Sequence, residues 1–288
     1  MAEVTPTILL VHAHPDDEAS TTGGTIARYA AAGARVVLVT CTNGELGDTP
    51  EGLKPEHDDH DTALVAAHRL AELEESVRIL GISRSVLLGY HDSGMEGWEY
   101  NEDVRSFFLT PLAEAAAKLA IVLEEEQPDV VITYDENGFY GHPDHIKANR
   151  TTHAALKLSG QSPKLYYATI PRSAFAQLGE VMARHGIEAP GGPEGDDTPA
   201  PTIGAFDDQV AATLDVSAFT SAKRASLVAH ASQTAQTFFV QIPEEVFGEI
   251  FATEFFERVD AEWTEVEDDL LTGTRFDGFL ARAEARAD

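Results

Sequence analysis

A single cysteine, Cys41, is all that the 288 residues contain. No intramolecular disulfide can form, and the position of Cys41 inside the apolar run RVVLVTC marks it as a buried core thiol. That fits a cytoplasmic protein. No stretch of about 18 apolar residues occurs, so no membrane span is expected. The opening MAEVTPTILLVHAHPDDE has no basic segment before its short apolar run, so a secretory signal is not expected either. Positive charge is scarce: 20 Lys and Arg stand against 49 Asp and Glu, a formal net charge of −29. Such a surface repels nucleic acid and anionic membranes, so neither is expected as a partner. A GxGxxG fingerprint is also missing around Gly23 and Gly24, which excludes the dinucleotide reading of that glycine pair.

What is present is enough apolar residue, 43%, for a packed core in one large α/β domain or two modest ones. Short β-rich runs alternate with helical patterns. Strands are expected over 7–13, 35–41, 85–90, 129–134 and 164–170. Helices are expected over 24–33, 62–81, 111–127 and 143–159. This alternation implies a Rossmann-like parallel sheet with helices on both faces. Residues 1–189 are read as the catalytic α/β domain. The stretch PGGPEGDDTPAPT (190–202) is a linker by composition, and 203–288 form a smaller α+β C-terminal part that completes the substrate pocket. That part carries helical patterns near 217–232 and 244–252 and weak strand signals.

In parallel sheets ligands bind beyond the carboxyl ends of the strands. Two polar clusters fall there. HPDDE follows the first strand and holds His14, Asp16, Asp17 and Glu18. GHPDH follows the fourth and holds His142, Asp144 and His145. Carboxylates this close repel unless protonated, hydrated or shared with a cation. Imidazole and carboxylate together suit a borderline divalent ion, zinc first, and a catalytic zinc site needs three protein ligands and an open position. The seven candidates leave the choice open.

The segments AHPDDE, GTIARYAAAGARVVLVTCTNGE, RLAEL, LGYHDSGM, TYDENGFYGHPDH, KLYY and AHASQ resemble the LmbE/PIG-L family of zinc-dependent N-acetyl sugar deacetylases. Within it they are most similar to the mycothiol branch, which holds the N-acetylglucosaminyl-inositol deacetylase and the mycothiol S-conjugate amidase. The resemblance covers residues 7–170 well and patches such as 225–233. It implies one zinc per chain held by His14, Asp17 and His145, with Asp16 as general base. It implies that His142 stabilises the oxyanion, with Asp144 tuning its charge, and that Tyr140 reaches the substrate carbonyl. Arg69 and Asp92 match positions that hold sugar hydroxyls, and Met95 lines the site. Thr21 and Gly141 stand where the amidase pattern has Lys and Pro, which favours the deacetylase. YDENG and KLYY look more like the amidase. The deacetylase of N-acetylglucosaminyl-inositol is the leading expectation, with the amidase or the deacetylase of another N-acetylglucosaminide behind it.

A non-catalytic sugar- or metal-binding module would keep the ligands and lose the base or the oxyanion donor; Asp16, Tyr140 and His142 argue against it. A small amino-sugar substrate is the expected partner, and a homo-oligomer is compatible with this reading. Other groups have plainer readings. Glu18 is expected as a helix N-terminal charge or a group behind the metal ligands. HDDHD (57–61) is expected at the surface or as a helix cap. The acidic runs EEE (124–126) and EVEDDLL (265–271) are expected to be solvated faces. Nothing in the sequence assigns chemistry to His230 of AHASQ.

Overall fold

The computed structural model describes residues 5–187 and 204–287; the expected linker over 190–202 lies outside them. The chain runs β1 (Thr7–His12), α1 (Asp17–Ala31), β2 (Arg35–Thr42), α2 (Thr62–Leu80), β3 (Arg84–Tyr90), α3 (Leu112–Glu126) and β4 (Val130–Thr133). A single turn, α4 (Gly138–Gly141), leads into α5 (Pro143–Ser159), β5 (Lys164–Thr169) and α6 (Arg172–Arg184). Then come β6 (Ala212–Asp215), α7 (Thr220–Ala229), α8 (Ala231–Thr234), α9 (Phe238–Gln241), α10 (Glu244–Ile250), β7 (Thr253–Arg258) and α11 (Phe279–Ala287).

The strands form one sheet in the order β3-β2-β1-β4-β5-β7-β6. The first five are parallel, while β7 pairs antiparallel with both β5 and β6. The strands of the C-terminal part therefore extend the sheet of the N-terminal part. Alternation along β1 shows why both faces are covered. Ile8 and Leu10 pack into one apolar cluster with Ile26 of α1 and Leu73 of α2. Leu9 and Val11 pack into the other with Leu119 of α3 and Ala148 of α5. The order reverses between β1 and β4, and this switch point is where an open α/β sheet leaves a crevice. Among the described residues no helix is long and apolar enough to cross a membrane.

Local signals set several boundaries. Asp61 of HDDHD caps α2, accepting from Ala63 N at 3.0 Å and Leu64 N at 3.1 Å, and Gly81 ends the helix at φ 74°. Helix α1 starts earlier than expected, at Asp17, because Gly23 and Gly24 lie inside it. A Cβ on Gly24 would stand 2.6 Å from Val216 Cγ2, so the glycine permits close packing. Helix α6 was not foreseen, although Phe175, Leu178, Val181 and Met182 follow helical spacing.

The acidic runs are not simply solvated. Glu126 accepts from Arg35 Nε at 2.6 Å and from Arg84 Nη1 at 2.6 Å, tying α3 to β2 and β3. Glu267 accepts from Lys164 Nζ at 2.8 Å, and buried Asp269 accepts from the Tyr29 hydroxyl at 2.6 Å. Cations and a buried hydroxyl from distant strands and helices pair with these carboxylates, which local charge density does not reveal.

Candidate active site

The turn after β1 and the turn after β4 meet at the switch point. His142 ends the second turn and caps α5 with its ring: Nδ1 accepts from Asp144 N at 3.1 Å. Pro143 occupies the first helical turn, where its missing N–H costs nothing. His145 follows two residues later and faces the first turn. Its Nε2 lies 3.4 Å from Asp17 Oδ1, and His14 Nδ1 lies 3.4 Å from Asp17 Oδ2. Two ligands on a tetrahedral zinc, with bonds of about 2.0–2.1 Å, stand about 3.3–3.4 Å apart.

His145 is 2% exposed, and neither of its ring nitrogens has a hydrogen-bond partner. An unpaired buried imidazole is costly, and a cation would satisfy it. Burial pushes His145 down to about 4, which leaves it in the neutral form a metal requires. Ring nitrogens of His14, His142 and His145 lie within 4.8 Å of one another, and His14 forms a second group of that size with Asp92 and Asp144. The residues present thus fit a metal ion, and Asp17 touches two of the three imidazoles.

Carboxylates orient His14 from behind. Its Nε2 is 3.3 Å from Asp144 Oδ2 and 3.6 Å from Asp92 Oδ1, which turns Nδ1 toward Asp17. Burial opposes a charge on His14, but Asp92, Asp144 and Asp17 outweigh it and raise its pKa well above the ordinary value. Asp144 is itself fixed by the Ser93 backbone N–H at 2.8 Å and by the Ser93 hydroxyl. Asp17 accepts from the Tyr134 hydroxyl at 2.7 Å, and the Tyr134 ring stacks on His145 at 4.1 Å.

Asp16 has an unusual backbone, φ 125° and ψ −24°. For a residue with a Cβ this costs about 1–3 kcal/mol. Arg69 holds the turn: it donates to Pro15 O at 2.7 Å, Gly44 O at 2.7 Å and Asp16 Oδ2 at 3.0 Å. Burial raises the Asp16 carboxyl to about 6, with Arg69 opposing and Asp17 adding.

The family model described as PIG-L, GlcNAc-PI de-N-acetylase, matches residues 9–156, which carry both turns. The chain belongs to the PIG-L family. Membership makes it a hydrolase of the N-deacetylase class. Curated relatives named 1D-myo-inositol 2-acetamido-2-deoxy-alpha-D-glucopyranoside deacetylase include one from Geodermatophilus obscurus, 38% identical over 92% of this chain and 97% of that protein. Another, from Streptomyces griseus, is 42% identical over 79% of this chain and 75% of that protein. Among solved structures, the N,N'-diacetylchitobiose deacetylase of Pyrococcus horikoshii superposes with a TM-score of 0.54 at 22% identity, covering 88% of this chain and 84% of that one. A 4-carboxy-2-hydroxymuconate hydratase from Pseudomonas putida reaches 0.58 at 17% identity, covering 91% and 99%, so likeness of fold does not fix the chemistry.

Within this PIG-L site the expected residues fall into two sets. His14, Asp16, Asp17, His142, Asp144 and His145 converge at the switch point, with the Tyr140 ring 5.0 Å from His145. Tyr140 and Met95 are each 39% exposed and open to solvent. The structure surrounds four of the expected residues as follows. Asp144 directs its carboxylate to Ser93 and His14 and its backbone N–H to the His142 ring, and its charge acts to raise the His142 pKa. The His142 ring, pushed down to about 3 first by burial and then by His14 and His145, is neutral. Arg69 is 4% exposed and donates to the Asp16 turn through Nη1 and Nη2, while its Nε has no partner, and Asp92 lies behind His14 and accepts from Gly94 N at 2.9 Å.

Sequence reasoning passed over Tyr134 and left His230 without a role. Tyr134 directly follows β4, ahead of the second motif, a position that could have flagged it. His230 Nε2 meets buried Glu18 Oε1 at 2.6 Å, and no local signal links residues so far apart. Glu18 is, as expected, a group behind the ligands: its Oε2 accepts from Asp16 N at 3.1 Å.

Proposed function

We propose that the protein removes the acetyl group from N-acetylglucosaminyl-inositol, using one zinc ion held by His14, Asp17 and His145. One observation carries the reading: Asp17 stands 3.4 Å from ring nitrogens of both His14 and His145, and His145 is otherwise unpaired. The names of the curated relatives supply the substrate. Zinc bound there supplies Lewis acidity toward the amide carbonyl and lowers the pKa of a water toward neutrality.

The chain's own groups do the rest. Asp16, with its carboxyl near 6, is ionised at neutral pH and takes the proton of the attacking water. His142 Nδ1 is occupied as an acceptor, so its neutral ring carries the proton on Nε2 and donates from there to the carbonyl oxygen as negative charge develops. No charge on His142 is needed. The Tyr140 hydroxyl, a phenol that is protonated at neutral pH, is a second donor type on the open side. Asp16, once protonated, returns the proton to the departing amine. In this reading the C-terminal part completes the site from the side of α1 and α2, where His230 meets Glu18 and Ser232 meets Glu72. A cytoplasmic setting belongs to the same proposal.

The test is amine release by the zinc-loaded protein from N-acetylglucosaminyl-inositol, N-acetylglucosamine and a mycothiol S-conjugate. The expected result is the highest kcat/KM on the first, abolished by chelation and restored by zinc. Release from the S-conjugate alone, or from none of the three, overturns the assignment.

A further inference from the structure

The segment AHASQ (229–233) lies where α7 passes into α8, and three of its side chains each grip a different N-terminal element. His230 Nε2 meets Glu18 Oε1 of α1 at 2.6 Å. Ser232 donates to Glu72 of α2 through its N–H at 2.7 Å and its hydroxyl at 2.6 Å. Gln233 bonds the Asp48 peptide in both directions, at 2.9 and 3.2 Å. Of these contacts, the one through Glu18 leads to the reacting groups.

Glu18, His230, Ser76 and Ser226 are each 0% exposed. Glu18 Oε1 accepts from His230 and from the Ser76 hydroxyl at 2.5 Å, and Ser76 meets Ser226 at 2.7 Å. Both donors hold one oxygen. The other, Oε2, accepts the Asp16 N–H at 3.1 Å. His230 Nδ1 has no partner, so the one polar contact of its ring is this carboxylate.

Asp16 is the residue with φ 125°. A strained peptide persists only where its surroundings over-determine it. Arg69 restrains the Pro15 carbonyl and the Asp16 carboxylate, and Glu18 restrains the peptide N–H between them. Released at the N–H, the peptide can turn toward an allowed conformation, and the carboxylate swings with it. Asp17, the next residue, is held separately by the His14 backbone N–H at 2.7 Å and by Tyr134.

We propose that His230, acting through Glu18, is a positioning residue that holds the Asp16 backbone in its strained conformation and so aims the carboxylate. The proposal rests on Asp16 as the general base. A misplacement of about 1 Å can cost about 100-fold in rate, so the effect belongs in kcat.

The experiment compares His230→Leu, Ser76→Ala and His230→Gln with the parent, each zinc-loaded and normalised to bound metal, on N-acetylglucosaminyl-inositol. Leucine removes the donor to Glu18, alanine removes its companion donor, and glutamine replaces the imidazole N–H with an amide N–H at similar reach. Expected are a fall in kcat of about tenfold or more for His230→Leu, a smaller fall for Ser76→Ala, unchanged KM and zinc content, and near-parental kcat for His230→Gln. If His230→Leu does not fold, Ser76→Ala and His230→Gln carry the test. Parental kcat in the donor-removing variants, a loss confined to KM, loss of zinc in step with activity, or a glutamine variant as slow as the leucine one would each overturn it. If the parent itself releases no amine, the hydrolase reading fails separately. The positioning inference is then read from crystal structures of the folded variants: Asp16 relaxed to negative φ in the donor-removing variants supports it, and φ still near 125° overturns it.

Discussion

Burial raises the Asp16 carboxyl to about 6, while the Arg69 guanidinium, 3.0 Å away, pulls it down. The base form exists above that pKa, so activity is expected to fall as pH drops through about 6. Arg69→Met removes the positive neighbour, and the carboxyl then keeps its proton to higher pH. The acidic limb of kcat/KM should move up by about one pH unit or more. A pH–rate profile of parent and variant at saturating zinc checks this; a limb that stays or moves down removes Asp16 as its source. The same arginine shows how residue type and role part company. An arginine beside a sugar pocket suggests hydroxyl binding; here its two Nη groups reach two backbone carbonyls and a carboxylate, and only Nε is left without a partner.

At the level of elements, α1 joins the N-terminal and C-terminal strands through its two glycines. Gly24 N and Thr25 N donate to Glu254 of β7 at 2.9 and 2.7 Å, and Lys223 pairs with the same carboxylate at 2.6 Å. A methyl group at 24 would enter Val216 at 2.6 Å and crowd Glu254 at 3.1 Å. Alanine is otherwise the better helix former, so propensity alone predicts stabilisation. Overpacking wins: Gly24→Ala should destabilise by about 1–3 kcal/mol, read as a lower midpoint in urea. A raised midpoint would show that the helix shifts freely. These glycines also explain what the sequence hid. Helix α5 was legible end to end, because Pro143 opens it and Gly160 closes it at φ 67°. Helix α1 was not, because residues 15–25 carry few apolar side chains and a Gly-Gly pair that reads as a loop. The site divides the same way. His14 and Asp17 follow the end of β1 and His145 opens the helix after β4, so topology brings them together. The Glu18–His230 contact needs α1, α2 and α7 to be packed first, and no periodicity encodes that.

Across the whole molecule the excess of 29 negative charges is the largest unbalanced term. Several acidic groups are paired with basic ones, as Glu126 and Glu267 are, but 20 basic residues cannot match 49 acidic ones. The remainder repel one another across the surface. Salt shortens that repulsion, from about 30 Å at 0.01 M to about 3 Å at 1 M. The melting temperature should therefore rise with sodium chloride over that range, and a flat or falling trend in thermal melts would refute it. One link already described also sets a sequence of events in time. The carboxylate at residue 18 finds its histidine at residue 230, and β7, which supplies Glu254 to α1, comes later still. Chains emerge from the ribosome N-terminus first, at about 5–20 residues per second. Both histidine motifs leave the ribosome seconds before the segment that completes the turn between them. The nascent chain can build its parallel strands and bring the two motifs together early, while on the positioning role proposed for His230 the aim of Asp16 waits for the last part of the chain to dock.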